Sequence, residues 1–146
     1  SFFQFAVQMK HVGATGALVQ IVLAPCSPFS VTADLMRQSA ELARLSKVQM
    51  HTHLAETEDE EQFCLKTLGL RPLAYMERVG WTGRDVWYAH GIHFNDEEIE
   101  LLGKTKTGIA HCPSSNLRLG SGICPVPKMR QRGVPIGLAL IFVQLI

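Results

Sequence analysis

Short apolar runs alternate along this chain with longer stretches in which apolar residues recur every three or four positions. Residues 17–24 form a nearly continuous apolar run, which is typical of a strand that is buried on both faces. Thr32 precedes a stretch with apolar residues at helical spacing, and its hydroxyl is suited to cap a helix. A second apolar run follows at residues 48–53. The pattern therefore predicts a strand, a helix and a second strand.

The same alternation continues toward the end of the chain. Thr57, with Glu60 three residues later, predicts a capping box for a helix through Leu68, and Gly69 predicts its end. Further helices are predicted at 72–79, at 96–102 after an Asn95 cap and at 128–131, with strands at 85–90, 107–111 and 134–140. Strands that alternate with helices indicate βαβ crossovers and a parallel sheet. Periodicity leaves two architectures open, a complete doubly wound sheet and an incomplete (β/α)8 barrel.

Composition narrows the class of partner. Hydrophobic residues make up 47% of the chain and charged residues 18%, which is ordinary for a globular α/β protein with one core. A net charge of +1 with mixed signs provides no basic patch, so nucleic acid is excluded as a partner and a small molecule is favoured. The longest apolar run, residues 134–146, is shorter than the roughly 20 residues of a membrane span. We therefore expect a cytoplasmic protein with no membrane partner, whose four widely spaced cysteines are reduced.

Titratable side chains follow several of the predicted strands at the point where each strand ends. His53 and Glu56 follow the second strand, His90 the third, and residues 111–116 the fourth. In an α/β barrel the active site lies at this rim, because the loops after successive strands converge there on one pocket. A single histidine at a strand end is usually structural, but histidines on three successive strands favour a common site. This arrangement favours the barrel over the doubly wound sheet.

His51 and His53 are two residues apart, so in a strand both side chains point to the same face. Such a pair either chelates a metal ion or is a hydrogen-bonded strand-end pair, because a metal site needs three or four ligands. Glu56 either exchanges protons with a metal-bound water or is a helix-start carboxylate favoured by the helix dipole. Cys112, beside His111, lacks the flanking residues of a thiol-protease signature, so a nucleophilic role is disfavoured.

Four segments of the sequence carry a family resemblance. They are APCSPFSVT (residues 24–32), HTHLAET (51–57), WYAHGIHFND (87–96) and AHCPSSNLRLGSGI (110–123). Together they resemble the nucleobase-deaminase and triazine-hydrolase group of the amidohydrolase superfamily, and the resemblance covers about residues 18–138. Within this group, HTHLAET with DEEQFC (59–64) and AHGIHFND is most similar to the 8-oxoguanine deaminases.

The resemblance implies an α/β fold in which residues 1–146 form an incomplete (β/α)8 TIM-type barrel domain, its C-terminal part from about strand 4 to about strand 8. It also implies that the complete protein hydrolytically deaminates an amino-substituted purine, 8-oxoguanine to urate and ammonia. Deamination of guanine or an adenosine derivative and hydrolysis of an s-triazine are alternatives, since the metal machinery is shared. The implied cofactor is one divalent metal ion, zinc. The implied partners are a purine or related heterocycle and further copies of the chain in a homo-oligomer.

The resemblance also implies roles for individual residues. His53 matches the metal ligand of the fifth barrel strand, Glu56 the proton shuttle, and His90 the residue that hydrogen-bonds the metal-bound water or the substrate. His51 is expected to support the site without binding metal, because the LAE segment after His53 matches the fifth strand, where only the second histidine is a ligand. The remaining candidates are expected near the substrate or as supports of the site, with a surface charge as the alternative for the last: His111, Ser114, Ser115, Asn116 and Arg118.

Two features depart from the family pattern. The first-strand His-x-His is absent, and no Asp follows Asp96, although the family's eighth strand ends in a metal-binding Asp. Residues 139–146 are therefore predicted to be a tail outside the family pattern. Because His53 remains as the one expected metal ligand, an alternative of another class is that this chain is a catalytically inactive partial product.

Overall fold

The computed structural model describes residues 22–28 and 30–139, which form a parallel sheet flanked by helices. The strands in these ranges are β1 (Val22–Leu23), β2 (Gln49–Leu54), β3 (Val86–His90), β4 (Gly108–His111) and β5 (Ile136–Leu138). The helices are α1 (Ala33–Ser46), α2 (Glu58–Leu68), α3 (Pro72–Arg78), α4 (Asp96–Thr105), α5 (Pro113–Leu119) and α6 (Val126–Gln131). None of the described helices is long and apolar enough to cross a membrane.

The strand order decides between the two architectures that the periodicity of the sequence left open. Within the described residues, the strands lie side by side in the order β1-β2-β3-β4-β5, and each neighbouring pair is parallel. A doubly wound sheet reverses its strand order at a switch point, whereas a (β/α)8 barrel adds each strand next to the one before it. The sequential order is therefore that of a barrel segment.

Most predicted helix ends are confirmed by their capping contacts. The Thr32 hydroxyl accepts a hydrogen bond from the Leu35 amide at 3.2 Å, at the start of α1. Asn95 and Glu98 form a reciprocal capping box at the start of α4, which runs three residues beyond the predicted end at Leu102. Gly69 ends α2 with a φ of 67°, a left-handed conformation that glycine adopts without steric cost.

Two predicted features differ in the structure, and two predicted segments lie partly outside the described residues. The Thr57 hydroxyl accepts from the Glu60 amide at 3.3 Å, but the Glu60 carboxylate does not return to the Thr57 amide, so the predicted capping box is only half formed. Helix α5 occupies a segment for which the sequence analysis predicted no helix, with Pro113 in its first turn. Of the strand predicted at 17–24, residues 17–21 lie outside the described residues, as do residues 140–146 of the predicted tail.

The two faces of the sheet differ in what covers them. Met50, Tyr88 and Ile109 lie on the face that packs against the helices and are at most 2% exposed. Because side chains alternate along a strand, His51 and His53 lie on the opposite face. The strand register places Trp87 of β3 beside His51 on that face. The histidines of β2 thus line the face that a closed barrel would turn inward.

Candidate active site at the carboxyl edge of the sheet

His53 is held in an orientation that leaves one ring nitrogen available. Its Nδ1 lies 2.8 Å from the carbonyl oxygen of Cys26, in the segment that follows β1. A carbonyl oxygen only accepts, so Nδ1 carries the proton and Nε2 keeps a free lone pair. Metal-binding histidines are commonly oriented in this way by a carbonyl on the other nitrogen. His53 therefore fits the role of a metal ligand.

His90 reaches His53 because its backbone departs from the strand conformation. The register pairs His90 with Leu54, whose side chain is fully buried in the core, so regular alternation would direct both side chains toward the core. The φ of His90 is instead 74°, in the left-handed region that is uncommon for residues other than glycine. Its ring stacks on that of His53 with a centroid distance of 5.4 Å and an interplanar angle of 27°. Backbone strain thus accompanies the approach of the two rings.

Asn116 determines which tautomer the His90 ring adopts. Its amide oxygen, presented by α5, lies 2.7 Å from His90 Nδ1, and both side chains are at most 2% exposed. Because the amide oxygen accepts, Nδ1 of His90 carries the proton and Nε2 is an acceptor. The Nε2 atom faces Glu56, whose Oε1 lies 3.5 Å away. A ring nitrogen that can accept a proton therefore lies beside a carboxylate, an arrangement that suits acid–base chemistry.

The turn that carries Glu56 is tied to the segment after His90. Ala55 adopts a φ of 53°, and its carbonyl oxygen accepts from the amides of Ile92 at 2.8 Å and His93 at 3.0 Å. The amide of Gly91 donates to the carbonyl of Leu54 at 3.1 Å. These backbone bonds hold the ends of β2 and β3 in a fixed relation, so the distance from Glu56 to His90 is set by the fold.

His51 lies beside His53, and its contacts are those of a packed side chain rather than those of an acid–base group. Its ring stacks on that of Trp87 at 5.2 Å and lies 5.8 Å from the ring of His53. Burial lowers the pKa of His51, and the neighbouring His53 lowers it further, while the backbone of Trp87 opposes the shift. Its Nδ1 is buried with no hydrogen-bond partner among the described residues. These contacts are consistent with a supporting role and do not test metal binding.

The other predicted site residues lie at the end of β4 and along α5. His111, half-buried, takes no part in the contacts that join His53, Glu56 and His90 in the described ranges. The buried polar atoms that have no hydrogen-bond partner in this part of the chain are His111 Nδ1, Ser115 Oγ and Asn116 Nδ2. Ser114 and Arg118 are exposed. The structure therefore brings Asn116 into the group and leaves Ser114 and Arg118 at the surface of the described segment.

Cys112 is unsuited to act as a nucleophile. Burial raises the pKa of its thiol, the backbone amide of His90 opposes the rise, and Glu56 adds to it. Its Sγ lies 3.2 Å from the carbonyl oxygen of Ala110, to which the thiol donates. A protonated, buried thiol is a poor nucleophile, in keeping with the sequence interpretation.

The described residues contain no complete metal site. Across residues 22–28 and 30–139, no three His, Cys, Asp or Glu side chains lie close enough together to hold a metal ion. His53, with its free Nε2, is the residue of this segment whose contacts fit a ligand. A catalytic zinc site commonly uses about three protein ligands, so a zinc site built on His53 would need further ligands from outside these ranges.

Sequence reasoning missed several residues that shape the site. The Cys26 carbonyl, Trp87 and Glu60 were not assigned to it. His93, whose Nε2 lies 3.0 Å from the Ser121 carbonyl, links the segment after β3 to the turn after α5. His93 lies within the AHGIHFND segment that carries the family resemblance, so the sequence could have identified it. The Cys26 contact uses a backbone carbonyl, which every residue has, so no residue type in the sequence could have indicated it.

Comparison with known proteins places these residues in a family. The amidohydrolase family model matches residues 4–140. The chain is 60% identical over 130 residues to the 8-oxoguanine deaminase of Pseudomonas aeruginosa, covering 89% of this chain and 29% of that protein. It is 41% identical over 131 residues to an isoxanthopterin deaminase from an unknown prokaryotic organism, covering 89% of this chain and 27% of that protein.

Solved structures agree with the fold. An adenosine deaminase from Xanthomonas campestris with bound zinc superposes with a TM-score of 0.87 at 27% identity, over 94% of this chain and 31% of that one. An atrazine chlorohydrolase from Arthrobacter aurescens in complex with zinc gives a TM-score of 0.85 at 26% identity, over 94% and 31% of the two chains. This chain thus spans less than a third of the length of these relatives, and its sheet corresponds to part of their barrel. The predicted fold and resemblance are confirmed, and the chain belongs to the amidohydrolase family.

Proposed function

We propose that the complete protein carrying this segment hydrolytically deaminates an amino-substituted purine, with 8-oxoguanine as the first candidate. The observation that supports this most is the 3.5 Å approach of Glu56 Oε1 to His90 Nε2, beside the ring of His53. The 60% identity to an 8-oxoguanine deaminase extends over 89% of the chain and favours that purine among the candidates.

The reaction requires several proton transfers that Glu56 is placed to carry. Water adds through its oxygen to the ring carbon that bears the amino group, the carbon–nitrogen bond breaks, and ammonia leaves a ring carbonyl behind. The water gives up both protons: one goes to the ring nitrogen beside the attacked carbon, and the other goes to the amine that leaves as ammonia. The Glu56 carboxylate, about a quarter exposed on the turn after β2, accepts and returns a proton at this point. His90 presents Nε2 as an acceptor and orients the water or a substrate N–H.

His53 is the residue of this segment that would hold a divalent metal ion, for which we propose zinc. When bound, zinc supplies hydroxide near neutral pH, because it lowers the pKa of a coordinated water to about 7. The Cys26 carbonyl keeps His53 in the tautomer that directs the Nε2 lone pair away from the strand-end backbone. The zinc-bound relatives of similar fold support this choice of metal.

An activity assay on the complete protein tests the proposal. The metal is removed with a chelator and zinc is returned, while ammonia release and urate formation from 8-oxoguanine are followed. We expect turnover to disappear with the metal and to return with zinc. A zinc-loaded, folded protein that releases ammonia from none of the amino heterocycles tested would contradict the proposed function.

Parallel substrates separate the candidate reactions. Guanine, isoxanthopterin and 5'-deoxyadenosine are compared with 8-oxoguanine by kcat/KM for ammonia release. Similarity to an atrazine chlorohydrolase supports hydrolysis of a chlorinated s-triazine as a second candidate. That reaction releases chloride without ammonia, so the product identifies it. A higher kcat/KM for the triazine than for every purine would replace the first candidate with the second.

A further inference from the structure

Glu60 is a buried carboxylate that contacts the turn carrying Glu56. Its side chain is part of α2, and the residue is 2% exposed. Oε1 accepts from the backbone amide of Ala55 at 2.9 Å, and Oε2 accepts from the backbone amide of Glu56 at 3.1 Å. Each carboxylate oxygen therefore binds one of two consecutive amides.

The start of α4 provides a comparison, because its glutamate at the same position caps its own helix. At the start of α4, Glu98 returns to the amide of Asn95, the residue that caps the helix, and completes a capping box. Glu60 occupies the same position relative to its cap, Thr57, but extends past it to the two residues before it. The carboxylate of α2 is thus directed at the turn between β2 and α2, rather than at the helix end.

The conformation of that turn needs external support. Ala55 has a φ of 53°, which is unfavourable for a residue with a Cβ. Its carbonyl is held by the amides of Ile92 and His93, and its own amide is held by Glu60. Both sides of the residue are therefore fixed, one by the segment after β3 and one by Glu60. The direction in which the next side chain, Glu56, leaves the turn depends on both.

We propose that Glu60 is a positioning residue for catalysis, which holds the Glu56 carboxylate opposite His90 by binding the two amides of the turn. The inference rests on the proposed function, in which Glu56 carries protons. Glu60 acts through the backbone and touches neither the substrate nor the metal ligand. A displacement of the turn moves Glu56 relative to His90, while the contact of His53 with the Cys26 carbonyl remains.

The test compares three variants of the complete protein. Glu60→Gln keeps the side-chain volume but can accept from only one amide, since its NH2 group opposes the other N–H. Glu60→Ala removes both contacts. Glu58→Gln is the matched control, because Glu58 is an exposed carboxylate in the same first turn of α2. For each variant, kcat, KM, zinc content and the pH dependence of kcat are measured on folded, zinc-loaded protein.

We expect Glu60→Gln to lower kcat by about 100-fold, because a small misplacement of a catalytic group has effects of this size. KM and zinc content stay at wild-type values, and the limb of the kcat profile that reports Glu56 moves or flattens. Glu58→Gln retains the wild-type kcat. The inference is overturned if zinc-loaded Glu60→Gln keeps the wild-type kcat, even with a lowered melting temperature, because Glu60 is then only structural. It is also overturned if Glu58→Gln loses as much activity, because charge rather than position is then responsible.

Amide hydrogen exchange provides a readout that does not depend on turnover. In Glu60→Gln, the amides of Ala55 and Glu56 are expected to exchange faster than in the wild type, while those within β2 are unchanged. Unchanged exchange at these two amides would overturn the inference. If the wild-type protein deaminates nothing but exchange increases as expected, the proposed reaction fails and the positioning of Glu56 by Glu60 stands.

Discussion

Asn116 Oδ1 lies 2.7 Å from Nδ1 of His90, and this contact joins helix α5 to the strained end of β3. The two residues are 26 positions apart in the sequence, and both are buried. The contact decides which nitrogen of His90 carries the proton, and therefore what Nε2 presents to Glu56. The acid–base geometry of the site thus depends on a side chain that α5 presents to His90.

Replacement of Asn116 by Ala is expected to lower kcat roughly 10- to 100-fold without loss of zinc, since supporting hydrogen bonds commonly have effects of this size. The His90 ring then loses its tautomer and orientation. A buried donor left unpaired also costs about 1–3 kcal/mol of stability, so the melting temperature falls. Gln131→Ala, an exposed change in α6 at a residue that is not a site candidate, is the control and keeps both values. Wild-type kcat in Asn116→Ala would show that the contact is not needed for turnover.

Glu56→Gln is expected to keep zinc and to lose turnover by roughly 100- to 10,000-fold, because it removes proton transfer but no ligand. Metal content is measured by elemental analysis beside kcat for ammonia release. Loss of zinc together with activity would make Glu56 a ligand and contradict its assignment as the proton carrier.

His53→Ala is expected to lower zinc content and activity together, because it removes the one ligand that this segment supplies. His51→Ala is the matched variant on the same face of β2, and it is expected to keep its zinc. The two proteins are dialysed against the same zinc buffer and compared. Full occupancy in His53→Ala with loss in His51→Ala would exchange the two assignments.

Glu60 also predicts a pH dependence of stability. Burial raises its pKa from 4.5 to about 7, against the opposing effect of the Ala55 and Glu56 amides, and the carboxylates of Glu56 and Glu98 add to the rise. Cys64 lies nearby on α2, and its thiol pKa is raised to about 11, so it stays neutral. A raised pKa means tighter proton binding in the folded state, so this contribution to stability is complete below pH 4.5 and is lost as the pH rises toward 7.

The measurement is the difference in melting temperature between the wild type and Glu60→Gln across that range of pH. The variant has no charge to gain at this position, so the difference cancels the effect of other titrating groups. We expect the wild type to lose more stability than the variant between pH 4.5 and 7. A difference that is constant, or that grows in favour of the wild type, would show that Glu60 is ionised throughout.

The 146-residue chain by itself is expected to release no ammonia from 8-oxoguanine, even with added zinc. One fitting ligand in the described residues does not hold a metal that normally has about three. The test removes adventitious metal, returns zinc and follows ammonia release, with size-exclusion chromatography of the sample and the complete protein as positive control. Zinc-dependent release by a monodisperse sample would show that the ligands are misplaced.

The sequence by itself determined the elements, their order and the family. Apolar periodicity and capping residues are local signals, so Thr32, Asn95 and Gly69 marked helix ends that the structure confirms. The same locality explains why His53, Glu56 and His90 could be assigned to one edge, since parallel strands end at a common rim. Periodicity carries no information on strand order, so the prediction of a barrel segment instead of a doubly wound sheet rested on the strand-end histidines and the family resemblance, and the strand order confirms it.

The tertiary structure decided how the site residues meet. Strand alternation directs His90 toward the core, and only the positive φ at the end of β3 turns its ring onto His53. Thr57 and Glu60 have the spacing of a capping box, yet the Glu60 carboxylate binds the amides of the preceding turn. Both outcomes depend on groups that are distant in sequence, such as the Asn116 amide and the amides after β3 that fix Ala55. A spacing rule uses only residues that are close in the sequence. The hydrogen bonds of the folded protein depend on every donor and acceptor that folding brings within reach.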